Sequence, residues 1–321
     1  MSDLSYLQAV VIGALQGVTE LFPISSLGHS VLVPAWIGGS WAHLVTENAT
    51  ASSEGSPYLA FIVALHVATA TALLVFYRRD WVRISGALWE TARTRRIETS
   101  TQRLAALLVV ATVPVGLTGL ALEHTFRTLF AKPIAASVFL TVNGVILLGA
   151  ERLRRRAEAA AVAQPDLVTV GAAGGSRSVG TEATSARQGA TGRRLESLSF
   201  REAGVIGFFQ TFALLAGISR SGVTMAAGLL RGLDHEDAAK FSFLLATPVI
   251  AAAGVLKLPS LAGPAGAHIH GQVVVGFLVA GACAYGAVRF LTRYFTARTL
   301  TPFAVYCLIG GAVSTAWFAA H

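Results

Sequence analysis

The sequence predicts an all-α polytopic membrane protein. It is organised as an inverted-topology repeat, each half one re-entrant helical hairpin plus three transmembrane helices. Three observations carry this. First, 54% of the 321 residues are hydrophobic and only 13% are charged, where soluble domains carry about a quarter. Second, the chain contains an internal repeat. Third, its Lys and Arg gather in alternate loops.

The repeat is read directly. With a shift of 194, VIGALQGVTELFPISSLG (Val11 to Gly28) overlays VIGFFQTFALLAGISRSG (Val205 to Gly222), with eight identities in 18 ungapped positions. Each copy reads as an apolar helix, a break, a small polar turn and a second apolar helix. The copies differ where it matters: Leu214 stands opposite Glu20, and Arg220 opposite Ser26. One copy carries the acid and the other the strong base.

In chain order, residues 4–38 form the first hairpin. Its limbs are shorter than the roughly 20 residues a span needs, and Pro23 interrupts them. Such a break is tolerated at membrane depth only where protein or a wet cavity surrounds it. Residues 39–57 read as a polar loop. Spans follow at about 58–78, 104–123 and 134–151, the first two separated by a basic loop, Arg78 to Arg103. The first repeat closes at 156. Residues 157–199, rich in Ala, Gly, Ser and Thr without an apolar period, are expected to be a disordered cytoplasmic linker. The second repeat, 200–321, repeats the plan: a hairpin at 202–232 and spans at about 236–256, 271–292 and 300–320.

Basic residues fix the expected sidedness. The loops on one side, including the linker, hold nineteen Lys or Arg, and the opposite loops three. The linker is then cytoplasmic and both termini are outside. Three spans per half is an odd number, so the halves insert in opposite senses and the hairpins enter from opposite faces. The net charge of +8 does not indicate a nucleic-acid partner, because the basic residues flank apolar segments. No Lys or Arg precedes Arg78, so a cleaved signal peptide is not expected. Cys283 and Cys307 lie in apolar segments without metal-type spacing and read as small core residues.

The chemistry concentrates at the two turns. Gln16 and Glu20 are four apart and share a helix face. A lone carboxylate in an apolar segment costs about 2.5–3.5 kcal/mol on insertion scales. It must be neutralised by a proton, a cation or an arginine. Ser25 and Ser219 each sit where a helix starts, as natural N-caps. Two helix N-termini meeting at one point would form an anion cradle, and Arg220 adds a bidentate phosphate clamp. His29 can transfer protons near neutral pH. Each residue also has a plainer reading: Ser25 and Ser219 as caps only, Gln16 and Gln210 as interhelical hydrogen-bond glue, His29 as a satisfied structural histidine, and Glu20 as the salt-bridge partner of Arg220. His66, alone in VALHVATA, reads as structural.

At these residues the sequence resembles the undecaprenyl-diphosphate phosphatase, or bacitracin-resistance, family. The first motif runs from Gln16 and Glu20 through Pro23, Ser25, Ser26 and Gly28 to His29. The second is Gly217, Ser219, Arg220, Ser221, Gly222 and Thr224. Supporting matches are Leu65-His66, Arg78-Arg79, Leu129-Phe130 and the stretch from Phe241. Gln16 stands where many members have Glu, Leu27 replaces a small hydroxyl residue, Ala216 replaces a Pro, and Ala68 replaces a Gly.

The resemblance implies hydrolysis of a C55 lipid diphosphate to the monophosphate and inorganic phosphate. The reaction would take place at the outer leaflet of the bacterial plasma membrane, with a divalent cation, Mg²⁺ or Ca²⁺. It implies Glu20 as the metal or acid–base carboxylate supported by Gln16, with Ser26 and His29 acting at phosphorus. Ser25, Gly28, Ser219, Arg220, Ser221, Gly222 and Thr224 would hold phosphate. Its expected partners are a polyprenyl diphosphate, membrane lipid and a second copy of the chain, with no nucleic acid. Whether Ser26 attacks or His29 activates water is left open by the sequence. The rival reading is a polyprenyl-phosphate transporter or flippase of inverted-repeat architecture.

Overall fold

A computed structural model describes residues 4–50, 57–130, 132–163, 193–261 and 268–321. The described chain is almost wholly helical. Its first elements are α1 (Tyr6–Thr19), α2 (Ser26–Ile37), α3 (Gly39–Thr50), α4 (Pro57–Phe76), α5 (Arg78–Thr94), α6 (Ser100–Phe130) and α7 (Pro133–Ala163). After the undescribed stretch come α8 (Phe200–Phe209), α9 (Arg220–Leu230), α10 (His235–Leu261), α11 (His270–Tyr294) and α12 (Thr301–Ala320). Among the described residues five helices are long and apolar enough to cross a membrane, or six if the bent pair α4–α5 is one span. The chain is a multi-pass membrane protein by length and composition.

At the places read as hairpins the chain forms two pairs of short helices, the apolar α1 with α2 and also α8 with α9, each pair packed together. Their starts are built alike. Ser5 caps α1 in a reciprocal box with Gln8, and Ser199 caps α8 in the same box with Glu202. These positions are again 194 apart, so the repeat extends upstream of the motif overlay. Each first limb lies against a long helix from the other half of the chain, α1 on α11 and α8 on α6. Small residues permit the close approach. A Cβ on Gly13 would meet the backbone of Gly276, and one on Gly207 the backbone of Ala111. The longest seam joins α7 to α12, and α4 packs on both α10 and α11.

Three loop readings are corrected. The stretch after Arg78 is not a basic loop but α5, an amphipathic helix bent 88° from α4. Its Ile84 and Ala87 are buried, while the basic residues face outward. Residues 39–50 form α3 rather than a loop. The segment 157–199 is ordered at both ends: α7 continues to Ala163, and Arg193 to Leu198 form a strap with a short 3-10 turn at Leu195–Ser197. Residues 164–192 of the expected linker lie outside the described residues. Arg193 pairs its backbone with Gly232 (N to O 2.8 Å) and its guanidinium with Glu202, Arg231 O and Ser197 O. The strap therefore ties the start of α8 to the end of α9.

Candidate active site

The turns of the two hairpins meet. Gly28 and Gly217 approach so closely that a Cβ on Gly28 would lie 2.9 Å from the Gly217 Cα. Gly217 has φ of 111°, a backbone that side chains disfavour. The contact is locked by polar groups. Ser25 Oγ accepts from Gly28 N and from Gly217 N, both at 3.2 Å. Ser219 and Ser221 donate their hydroxyls to Phe22 O at 3.4 and 3.1 Å. Asn143 of α7 reaches both turns: Nδ2 donates to Pro23 O and Oδ1 accepts from Ser219 N, each at 3.0 Å.

Glu20 lies at the centre, buried. Arg220 Nη2 donates to its Oε1 at 2.6 Å. Its Oε2 accepts from Gln16 Nε2 at 2.9 Å and from the Ser26 hydroxyl. Arg220 is fixed a second time by donating from Nη1 to Ala246 O at 3.1 Å. Acid and base from opposite hairpins are thus one pair, as the plainer reading of Glu20 anticipated, and Ser26 is bonded into the same group.

His29 is arranged differently. Its Nδ1 faces Ser25 O at 2.7 Å, so Nδ1 carries the proton, and its Nε2 accepts from the Tyr306 hydroxyl at 2.8 Å. Both ring nitrogens are engaged, neither with Ser26. The N-caps form as expected: Ser25 accepts from Gly28 N, and Ser219 from Gly222 N. Ser25 does so at φ 72°, a left-handed conformation rare for a serine cap and a local strain. Thr224 bonds to Arg220 O on its own helix. The hydroxyls of Ser25, Ser219, Ser221 and Thr224 are therefore occupied in framing the turns. Open N–H groups lie beside them. Those of Ser26 and Leu27 on α2, and of Arg220 and Ser221 on α9, have no partner among the described residues. Gln210 bonds to Ala111 O at 3.1 Å and is interhelical glue.

Three contributors escaped the sequence reading as site residues. Asn143 and Tyr306 are polar groups in apolar helices. His66, read as structural, brings Nε2 within 3.4 Å of Glu20 Oε2. Among the described residues no three His, Cys, Asp or Glu cluster as a ready-made metal site.

The chain is similar to known proteins over nearly its whole length. The family pattern described as "Bacitracin resistance protein BacA" matches residues 9–313. This chain belongs to the BacA family. A relative from Frankia alni named "Undecaprenyl-diphosphatase 2" is 65% identical over 342 residues, covering 99% of each chain. One from Mycolicibacterium paratuberculosis, named "Undecaprenyl-diphosphatase", is 56% identical over 320 residues, again covering 99% of each. A second from Mycobacterium avium is 55% identical with the same coverage. In this BacA-family chain the two motifs that carry the resemblance lie on the two turns that meet at Glu20.

Proposed function

We propose that this BacA-family protein is a membrane hydrolase that converts undecaprenyl diphosphate to undecaprenyl phosphate and inorganic phosphate. It acts at the outer leaflet of the bacterial plasma membrane, recycles the lipid carrier for peptidoglycan synthesis and thereby confers bacitracin resistance. One observation carries the reading. Glu20 is held at once by Arg220 of the other hairpin and by the Ser26 hydroxyl of its own, beside two helix N-termini with open N–H groups.

Phosphoryl transfer asks mainly for positioning and charge neutralisation. The open N–H groups at the starts of α2 and α9 receive phosphate oxygens. Arg220 uses Nη1 and Nη2 donors on Ala246 O and Glu20, and its remaining N–H groups clamp the diphosphate. Ser26 points its O–H at Glu20 Oε2, so the carboxylate is placed to take that proton. The Ser26 Oγ–P bond forms as the bridging P–O bond breaks and undecaprenyl phosphate leaves. Water then releases phosphate from Ser26. His29 touches neither Ser26 nor Glu20 and acts as a positioning residue, holding the strained Ser25 carbonyl against Tyr306.

The donor set suits a divalent cation of the Mg²⁺ or Ca²⁺ kind. Gln16 Oε1 is buried without a hydrogen-bond partner, on the amide whose Nε2 donates to Glu20, and a hard cation accepts a carboxylate, an amide oxygen and phosphate oxygens. Glu20 and Gln16 would hold it, and when bound it would neutralise phosphate charge. The inverted repeat belongs to the same proposal. It is supported by the reciprocal packing of α1 on α11 and α8 on α6, and by capping boxes at matching positions.

Phosphate release from undecaprenyl diphosphate by purified protein, with and without chelator, tests the reading. Release that chelator abolishes is expected. Lipid translocation across vesicles without any release would support the flippase instead.

A further inference from the structure

We propose that the C-terminal end of α11 carries a binding site for the phosphate headgroup of an anionic membrane lipid, built by Arg289, Arg293 and Arg298 beside the rings of Phe290 and Tyr294. The inference does not rest on the hydrolase reading. A hollow of about 490 Å³ opens where α11 ends and the turn toward α12 begins, and these five side chains line it. That volume is within the roughly 300–1,000 Å³ of small-ligand sites. Two small residues keep it open: Ala297, and Gly286, where a Cβ would meet nothing.

The charge of the hollow is unbalanced. All three arginines are exposed, and none makes a hydrogen bond or ion pair through its guanidinium among the described residues. Their own stretch of chain supplies no counter-charge, since no Asp or Glu occurs from Ala238 to His321. Like charges around one space repel, and a bound anion relieves that repulsion. The planar guanidinium fork matches phosphate oxygens in particular.

The surroundings point to a lipid as the source of the phosphate. Helix α11 is long and apolar enough to cross a membrane, so the arginines at its end stand at headgroup level. Phe290 is 52% exposed, and its ring lies 5.6 Å from that of Tyr294. A free phosphate ion gains nothing from that apolar wall, whereas a headgroup carrying chains does. The same ring leads to the catalytic turns. Phe290 lies parallel to Phe22 at 5.9 Å, and Phe22 O accepts the hydroxyls of Ser219 and Ser221. A lipid seated on Phe290 is therefore one ring away from the turn of the first hairpin.

Arginines that only marked the sidedness of the chain would bind no particular lipid, and this contrast sets the test. The purified full chain in detergent is titrated with phosphatidylglycerol, phosphatidylcholine or inorganic phosphate and read by native mass spectrometry. At about a factor of five per arginine, one phosphatidylglycerol should be held roughly a hundredfold more tightly than phosphatidylcholine. Arg289→Gln/Arg293→Gln/Arg298→Gln should remove that preference. Arg293→Gln alone should lower it about fivefold, and it is read in place of the triple variant should that one not fold. Equal binding of the two lipids by the unaltered chain overturns the proposal, as does a preference that the substitutions leave intact. Excess inorganic phosphate should not displace the lipid. Displacement would make the occupant a free phosphate ion and overturn the lipid assignment. Phosphate release plays no part in the readout, so failure here leaves the hydrolase reading standing.

Discussion

Asn143 shows how much one side chain decides. It is fully buried on α7 and joins Pro23 O of one turn to Ser219 N of the other. Asn143→Ala leaves both groups unsatisfied, at about 1–3 kcal/mol for each, and frees the turns to separate. A lowered melting temperature with turnover reduced more than tenfold is the expected result, measured on the purified variant. Asn143→Asp keeps the acceptor for Ser219 N but faces Pro23 O with a second acceptor, so it should recover only part of the loss. Ser26→Ala should remain folded and lose nearly all phosphate release. Substantial residual activity there would remove Ser26 as the nucleophile. The sequence made Glu20, Ser26 and Arg220 legible because two long motifs surround them. Asn143 was not, although the same rule applies: a polar group in an apolar segment marks a site or a strut. Its partners are backbone atoms of distant turns, and no spacing along the chain announces those. His66 was missed for the same reason, since its link to Glu20 runs between helices.

At the scale of the element, the hairpins depend on two glycines and a cap. Gly217 combines φ of 111° with backbone contact to Ala136 and Leu140 of α7. Gly217→Ala is therefore strained and crowded together, and should abolish folding or activity. Gly28→Ala would press on Gly217 and separate the turns, so loss of turnover should exceed loss of stability. At the start of α8, hydrogen bonding from Arg193 holds the Glu202 carboxyl down to about 2. A depressed carboxyl stabilises the fold above its unfolded-state pKa and loses that effect as pH falls through the folded value. The cap and strap should thus be fully formed above about pH 4.5 and loosen toward pH 2. Hydrogen exchange at the first turn of α8 should rise across that window, beyond the intrinsic pH effect, and Glu202→Gln should not show the step. The helix α5 was legible in principle, since Trp81, Ile84 and Leu88 recur at helical spacing. The density of arginines drew the reading to a loop instead, because charge without attention to period does not separate a solvated helix face from a turn.

For the whole molecule, the five helices that are long and apolar enough to cross a membrane among the described residues were legible from hydropathy, because lipid enforces a length and composition that soluble folds do not. How the halves interlock was not. The packing of α1 on α11 and α8 on α6 is a relation between surfaces, prepared in sequence only by small residues such as Gly13 and Gly207. The proposed orientation has a direct check. In a background with Cys283 and Cys307 replaced by Ala, an impermeant thiol reagent applied to intact cells should label Ser40→Cys and spare Arg96→Cys. The reverse pattern would move the site to the inner leaflet. The central claim is that two hairpins from opposite halves share one catalytic group, the Glu20–Arg220 pair. A purely structural buried pair predicts that single changes destabilise and that neutralising both partners restores the fold and activity. A catalytic pair predicts that Glu20→Gln and Arg220→Lys are each severely impaired, the lysine because it lacks the planar fork. The double variant should then be little worse than the worse single one. The decisive measurement is turnover alongside melting temperature for Glu20→Gln, Arg220→Lys and the double variant Glu20→Gln/Arg220→Gln. A folded and inactive double variant is the predicted result, and a folded and active one would contradict the account.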